Sequence, residues 1–349
     1  MRALTIKPMV ADSLAVEDVP DPSPEQGDLL VDGLALGVCG TDKEIARGQY
    51  GWAPPGRERL VIGHESLGRV RQAPEGSDFA EGDLVVGVVR RPDPEPCGAC
   101  AHGEFDMCRN GKYTERGIKE IDGYASEQWT VETDYAVKLD ARLEPVGMLM
   151  EPTTVVAKAW EQVERIGARA WFDPKTVLIT GAGPIGLLAA LLGRQRGLDV
   201  HVLDLVTSGP KPDLVGDLGA TYHHDDINEL TRKLQPDVVL EATGVPHLAL
   251  ASMSGTASYG ITVLTGVSSG GRTVPVDPGE LNREIVLEND AIVGSVNANL
   301  RHYAQAGDAL AAADLDWLQR LVSRRVKLPE FADAFRPQDD DVKVVLDLT

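Results

Sequence analysis

The chain has 349 residues, 43% of them hydrophobic, with 54 acidic and 34 basic side chains giving a formal net charge of −20. That length suggests two domains with ordinary packed cores. Nucleic acid and anionic membrane surfaces are poor partners for such a charge, and no apolar run reaches the ~18 residues of a membrane span. The acidic excess is spread along the chain and reads as adaptation to high salt, where repulsion between like charges is screened.

Residues 1–7 alternate like a first strand and lack a signal peptide's apolar core, so a cytoplasmic location is expected. Residues 1–90 are β-rich, with apolar alternations at 29–36, 60–70 and 83–89 separated by Gly, Pro and Asp turns. Residues 91–111 have no periodicity and read as an irregular loop. Strand patterning returns over 121–139. Around 148–167 the texture changes, and the stretch Thr153 to Trp160 after Glu151-Pro152 reads as a helix with proline in its first turn. From Lys175 strands and helices alternate: strands at 176–180, 199–204, 237–240 and 259–265, helices at 184–197 and 211–218, and a last strand near 291–296. This alternation predicts a parallel doubly wound sheet. The tail 315–349 reads as a helical piece and a final strand that docks on the first domain. The expected domains are a catalytic one, 1–155 with 296–349, and a dinucleotide-binding one, 156–295.

The most specific signal is Gly181-Ala182-Gly183-Pro184-Ile185-Gly186, because it follows an apolar strand and opens a helix. Gly181 permits the tight turn, Gly183 lets backbone approach a pyrophosphate, and Gly186 allows close helix–strand packing. The exposed N–H groups at the helix start stabilise phosphate. Asp204 closes the next strand about 20 residues on, where a carboxylate accepts from the ribose hydroxyls. Leu205 and Val206 follow, with no Arg for a 2′-phosphate, which favours NAD over NADP. Lys211 lies close enough in sequence to leave dual use open.

Two glycine-framed groups, Gly37-Val38-Cys39-Gly40-Thr41-Asp42 and Gly63-His64-Glu65, supply a thiolate, an imidazole and a carboxylate. These suit a zinc ion that keeps a position open for substrate. Glu151, opening its helix, is the natural fourth ligand. Zinc there polarises a substrate hydroxyl and lowers its pKa, so that a hydride can pass to nicotinamide. Thr41 is either a proton relay or an ordinary strand-end hydroxyl. Cys97, Cys100 and Cys108 crowd a second stretch, too few for a disulfide framework and read as metal-binding. A closed structural site needs four ligands, with His102 or Asp106 as the candidates, unless the loop holds no metal.

Taken in this order, the three glycine-framed motifs resemble the zinc-dependent medium-chain dehydrogenases, and more narrowly the archaeal, haloarchaeal-like glucose 1-dehydrogenases. Arg90-Arg91, Tyr113 to Gly117, Glu151-Pro152, Glu241-Ala242-Thr243-Gly244 and Gly294-Ser295-Val296-Asn297 extend the likeness over nearly the whole chain. The resemblance implies an α/β fold, a GroES-like β-rich catalytic domain plus a Rossmann domain. It implies oxidation of an aldose at C1 to the lactone with NAD(P), with zinc at Cys39, His64, Glu65 and Glu151. Sugar contacts are implied at Thr41, Glu115, Glu151 and Asn297. Cofactor contacts are implied at 183–186, Asp204, Thr265, Gly266, Val267, Ser295, Val296 and Asn297. Relatives form homodimers or homotetramers. By residue type alone, Glu115 reads as an exposed charge beside Arg116. The family's lobe zinc has four Cys in C-x2-C-x2-C-x7-C order, whereas here the loop reads as shortened with the third Cys lost. Val89 and Val155 stand where some relatives carry polar sugar contacts. A dehydrogenase of another sugar, polyol or secondary alcohol is the alternative. A silent nucleotide-binding sensor is the contrasting class, against which the complete Cys39, His64 and Glu65 set argues.

Overall fold

The computed structural model describes residues 1–25, 28–268, 270 and 273–349, and the chain divides into two compact units. The first holds Met1–Glu151 with Ala298–Thr349, the second Pro152–Asn297.

The first unit is built on the long strand Asp28–Val38, whose alternate residues are buried, as a strand with one face on a core requires. It pairs antiparallel with Glu65–Gln72, Gln128–Glu132 and Lys343–Asp347 within a seven-stranded sheet. Leu29, Val31, Leu36, Val70, Trp129, Val344 and Leu346 share its core. The expected docking of the chain's tail on the β-rich region is therefore present, through the register Val344↔Val38 and Leu346↔Leu36. The apolar stretch 60–70 is not one strand. It breaks after Leu60–Val61 and resumes at Glu65, because Gly63 turns the chain with φ of 90°. The loop 91–111 contains a short helix, Gly98–Ala101, and a 3-10 turn, Phe105–Met107.

The second unit is a six-stranded parallel sheet. Its order is Thr221–His223, Asp199–Leu203, Thr176–Thr180, Val238–Glu241, Ile261–Leu264 and Ala291–Gly294. In chain order this is the doubly wound 3-2-1-4-5-6 arrangement, which places a ligand crevice where the order reverses, at the carboxyl ends of the strands. Thr176–Thr180 and Val238–Glu241 flank that point. Helices Ile227–Leu234, Pro246–Ser252 and Pro278–Glu288 of this unit, Leu300–Ala312 of the first, and strands Thr221–His223 and Val322–Lys327 go beyond the sequence expectation. Among the described residues no helix is long and apolar enough to cross a membrane.

Candidate active site

Within the first unit, Cys39 ends the long strand and caps the helix Gly40–Ala46. Its extended backbone (φ −116°, ψ −176°) and the hydrogen bond from its N–H to Asp42 Oδ2, 2.9 Å, fix where the thiol points. Thr41 stands in the first turn of this helix, half-buried, not at a strand end. His64 and Glu65 arrive from the neighbouring strand, in the register Gly37↔Glu65. A Cβ on Gly37 would stand 1.9 Å from Glu65 Oε2, so the glycine makes room for the carboxylate. A Cβ on Gly63 would stand 2.3 Å from Leu36, and positive φ strains any other residue there.

The result is convergence. Ligand atoms of Cys39, His64 and Glu65 all lie within 4.8 Å of one another, with Cys39 Sγ and His64 Nε2 3.2 Å apart. Asp42, 1% exposed, sets Oδ1 3.6 Å from His64 Nδ1, and both atoms are buried without a hydrogen-bond partner. Such orphaned polar atoms cost free energy unless a charge or metal organises them. An imidazole that ligates through one nitrogen and faces a carboxylate with the other is a recurrent metal-site arrangement. The donor set, thiolate, imidazole and carboxylate, therefore fits zinc.

Two further charged groups complete the surroundings. Lys343, 2% exposed, sends Nζ to Glu65 Oε2 in an ion pair and stands 3.4 Å from the Val38 carbonyl. Burial works against its charge, but Glu65 and then Cys39 outweigh it and raise its pKa. At Glu151 burial lifts the carboxyl to about 7, opposed by His64 and assisted by Glu65. For His64 burial again opposes the charged form, yet Cys39 and Asp42 hold its pKa well above the usual imidazole range. Cys39 is pushed up by burial and then by Asp42. At Cys39, His64 and Glu151 the shifts thus run toward the protonated form, against which a bound divalent cation would act.

Glu115 is not an exposed charge. It is 4% exposed and takes Arg90 Nη2 at 3.0 Å and Nε at 3.2 Å, while Arg116 turns to Glu132. Arg90 in turn lies 3.6 Å over the Tyr113 ring, so the motif residues Arg90, Tyr113 and Glu115 form one contiguous group.

The second cysteine group also converges. The sulfurs of Cys97, Cys100 and Cys108 lie within 4.8 Å, but neither His102 nor Asp106 joins them. His102 Nδ1 is 2.6 Å from the Gly98 carbonyl, and Asp106 Oδ1 accepts from Asn299 Nδ2 at 2.7 Å. As placed, neither side chain fills the fourth position beside the sulfurs. Nor is the loop shortened: Cys97-x2-Cys100-x7-Cys108 keeps the spacing of the last three family cysteines, and Pro94 stands at the first.

In the second unit the glycine turn lies at the carboxyl edge of the sheet. A Cβ on Gly186 would stand 1.7 Å from the Gly181 carbonyl oxygen, whereas one on Gly183 would meet nothing within 4 Å. Gly186 therefore answers to the protein's own packing. The open space at Gly183 is a cradle that a Cβ would enter, which fits a pyrophosphate. Pro184 and Ile185 open the helix Pro184–Gln195. Asp204 Oδ2 accepts from Ala182 N–H at 2.6 Å and lies 3.6 Å from Lys211 Nζ. Glu241, fully buried, accepts from Thr243 and Gly244 N–H, and its carbonyl accepts from Thr265 Oγ1 at 2.8 Å. This brings Thr265, Gly266 and Val267 beside Gly244. Ser295 N–H bonds the Leu264 carbonyl, Val296 accepts from buried Lys158, and Asn297 has φ of 63°. Asp42, Lys343 and Glu241 are the organising residues to which the sequence reading gave no role. The signal for Asp42 was its place at the third position of a helix beginning after Cys39.

Residues 25–141 match the alcohol dehydrogenase GroES-like domain and residues 144–348 the glucose dehydrogenase C-terminus. Glucose 1-dehydrogenase of Methanocella arvoryzae is 39% identical over 100% of this chain and 99% of its own. That of Thermoproteus tenax is 40% identical over 99% of both. The structure of Haloferax mediterranei glucose dehydrogenase, in complex with NADP, Zn and gluconolactone, superposes with a TM-score of 0.92 at 33% identity. It covers 100% of this chain and 99% of that one. A chain that shares this fold and is this similar along its full length belongs to the glucose 1-dehydrogenases, within the zinc-dependent medium-chain dehydrogenase family.

Proposed function

We propose that this chain oxidises an aldose, D-glucose first, at C1 to the lactone and passes the hydride to NAD(P). The observation that carries this is the convergence of Cys39, His64 and Glu65 in a chain similar along its full length to glucose 1-dehydrogenases. Cys39, His64, Glu65 and Glu151 are the zinc ligands in this reading. Bound there, zinc would supply Lewis-acid polarisation of the C1 hydroxyl, and a bound nicotinamide cofactor would supply the hydride acceptor. Thr41 Oγ1 accepts the hydroxyl proton and hands it to solvent. Asp42 and Lys343 hold His64 and Glu65 in orientation. Glu115, steadied by Arg90, accepts from sugar hydroxyls, since a carboxylate offers paired acceptor oxygens. Glu151 and Asn297 are further sugar contacts.

The cofactor residues in this reading are Gly181, Gly183, Pro184, Ile185, Gly186, Asp204, Thr265, Gly266, Val267, Ser295, Val296 and Asn297. NAD is the favoured form, because Asp204 would face a 2′-phosphate and no Arg follows it. Lys211 at 3.6 Å from that carboxylate is what keeps NADP accessible. The assembly is a homodimer or homotetramer joined along the edge strand Ala291–Gly294. A second reading, a dehydrogenase of another sugar or polyol, is favoured by Val89, which is apolar and 5% exposed.

Initial rates on glucose, galactose, xylose and sorbitol with each cofactor, in high salt, test both readings. Turnover of glucose with lactone formation is expected. No turnover of any aldose would remove the first reading.

A further inference from the structure

An arginine side chain carries its N–H donors in one rigid plane and keeps its charge, so a buried one must be met by acceptors around its rim. Arg90 is buried. Its Nε and Nη2 both reach Glu115 Oε1, at 3.2 and 3.0 Å, which leaves Oε2 for other donors. Its Nη1 donates to the backbone carbonyl of Asp106 at 3.0 Å. The Glu115 carboxylate is therefore aimed by a guanidinium that is itself held from the other side.

The Asp106 carbonyl is held in its turn. Asp106 lies in the 3-10 turn Phe105–Met107 and is buried. Its Oδ1 accepts at 2.7 Å from Nδ2 of Asn299, a residue 193 positions away in the chain and 1% exposed. Asn299 caps the helix Leu300–Ala312. Its Oδ1 accepts from Arg301 N–H at 3.0 Å, and its own N–H donates to His302 Nδ1 at 3.1 Å. One half of the Asn299 amide thus serves the helix and the other serves Asp106. The path Asn299, Asp106, Arg90, Glu115 lies within the first unit, and all four side chains are buried. In a low-dielectric interior a chain of satisfied hydrogen bonds rigidifies its members.

We propose that Asp106 and Asn299 are positioning residues for the sugar, acting through Arg90 on Glu115. The inference rests on the reading of Glu115 as a sugar contact. The Asp106 side chain ties the turn to the helix start and so fixes its carbonyl behind Arg90. Without that tie the guanidinium shifts, and Glu115 Oε2 shifts with it. A displacement of about 1 Å is enough to spoil the alignment of a bound substrate. The turn Phe105–Met107 thereby takes part in substrate recognition by a route that does not run through the cysteines beside it.

Initial rates of the purified chain, with glucose and cofactor varied in turn, test the proposal. Asp106→Ala removes the acceptor. It should raise the glucose KM about tenfold and leave kcat and the cofactor KM within about twofold, the pattern of a lost contact shared by ground and transition states. Asn299→Ser keeps a helix cap but is too short to reach Asp106, and should do the same. Asp106→Asn keeps Oδ1 as an acceptor and should restore the wild-type KM. In a Glu115→Gln background Asp106→Ala should raise the glucose KM no further, because both changes act on one contact, whereas a merely structural role would add in full. An unchanged glucose KM in Asp106→Ala and Asn299→Ser while Glu115→Gln raises it, or full additivity with Glu115→Gln, would overturn the proposal and leave Glu115 as a sugar contact. An unchanged KM in Glu115→Gln itself would remove that contact, and the proposal with it.

Discussion

The glycine turn of the second unit and the metal cluster of the first are built in opposite ways. The turn is contiguous, residues 181–186, and offers backbone N–H groups and an open space at Gly183. The cluster gathers side chains from positions 39, 42, 64, 65 and 343, far apart in sequence, which the pairing of three strands brings together, with Glu151 added from the start of the helix Met150–Gly167. Chemistry done by backbone depends on the absence of side chains, whereas chemistry done by side chains depends on each one being present. The cluster should therefore fail at single deletions, and the turn at single additions.

The largest effect is expected at the cluster. His64→Ala removes the imidazole donor together with the group that Asp42 faces. A Lewis acid contributes several kcal/mol to the transition state, so kcat/KM should fall by about 10³-fold or more. Zinc content should fall with it. Activity within tenfold of wild type at undiminished zinc would remove His64 from the ligand set.

Next in size is Lys343→Met, which breaks a pair whose members are both almost fully buried. Removing one partner of a buried ion pair costs about 3–5 kcal/mol, because the other charge is left uncompensated. Chemical unfolding of chelator-stripped protein should show that loss, and the double variant Lys343→Met/Glu65→Gln should recover most of it. An additive double variant would mean that Lys343 and Glu65 do not depend on each other.

These two residues also mark what was legible in the sequence. His64 was visible because it stands beside Glu65 after a glycine, a pattern with a local cause. Lys343 was invisible because its partner reaches it only through the pairing of the last strand with Asp28–Val38. The same holds for the lobe. Spacing pointed to His102 and Asp106, but spacing does not give direction, and both side chains turn to other partners. The helix Pro278–Glu288 went unread for another reason: none of its described residues is buried, so it carries no apolar period to detect. The strand–turn–helix at 176–195 was legible throughout, since its propensity, its turn residues and its buried run agree.

At the turn the expected changes are smaller and separate binding from stability. Gly183 has φ of −80°, which any residue adopts, and open space around its Cβ position. Gly183→Ala should leave the melting temperature unchanged or slightly higher, by the ~0.4–1 kcal/mol that a compatible Gly→Ala change brings. The cofactor KM should rise about tenfold, as one displaced hydrogen bond to a charged phosphate is worth about 1.5 kcal/mol or more. A loss of stability with unchanged cofactor KM would show that Gly183 serves packing, as Gly186 does.

The smallest change is expected where the turn meets a side chain. Lys211 lies 3.6 Å from Asp204 Oδ2, so the carboxylate already neutralises part of its charge. A 2′-phosphate would compete with Asp204 for that ammonium, and a 2′-hydroxyl would leave the pair intact. Lys211→Ala should therefore lower kcat/KM with NADP by roughly fivefold, about 1 kcal/mol for a partly exposed ion pair, and hardly alter it with NAD. Equal losses with both cofactors would show that Lys211 acts by positioning Asp204. An unchanged ratio would leave the choice to Asp204 alone, and with it the one part of this turn that depends on a side chain.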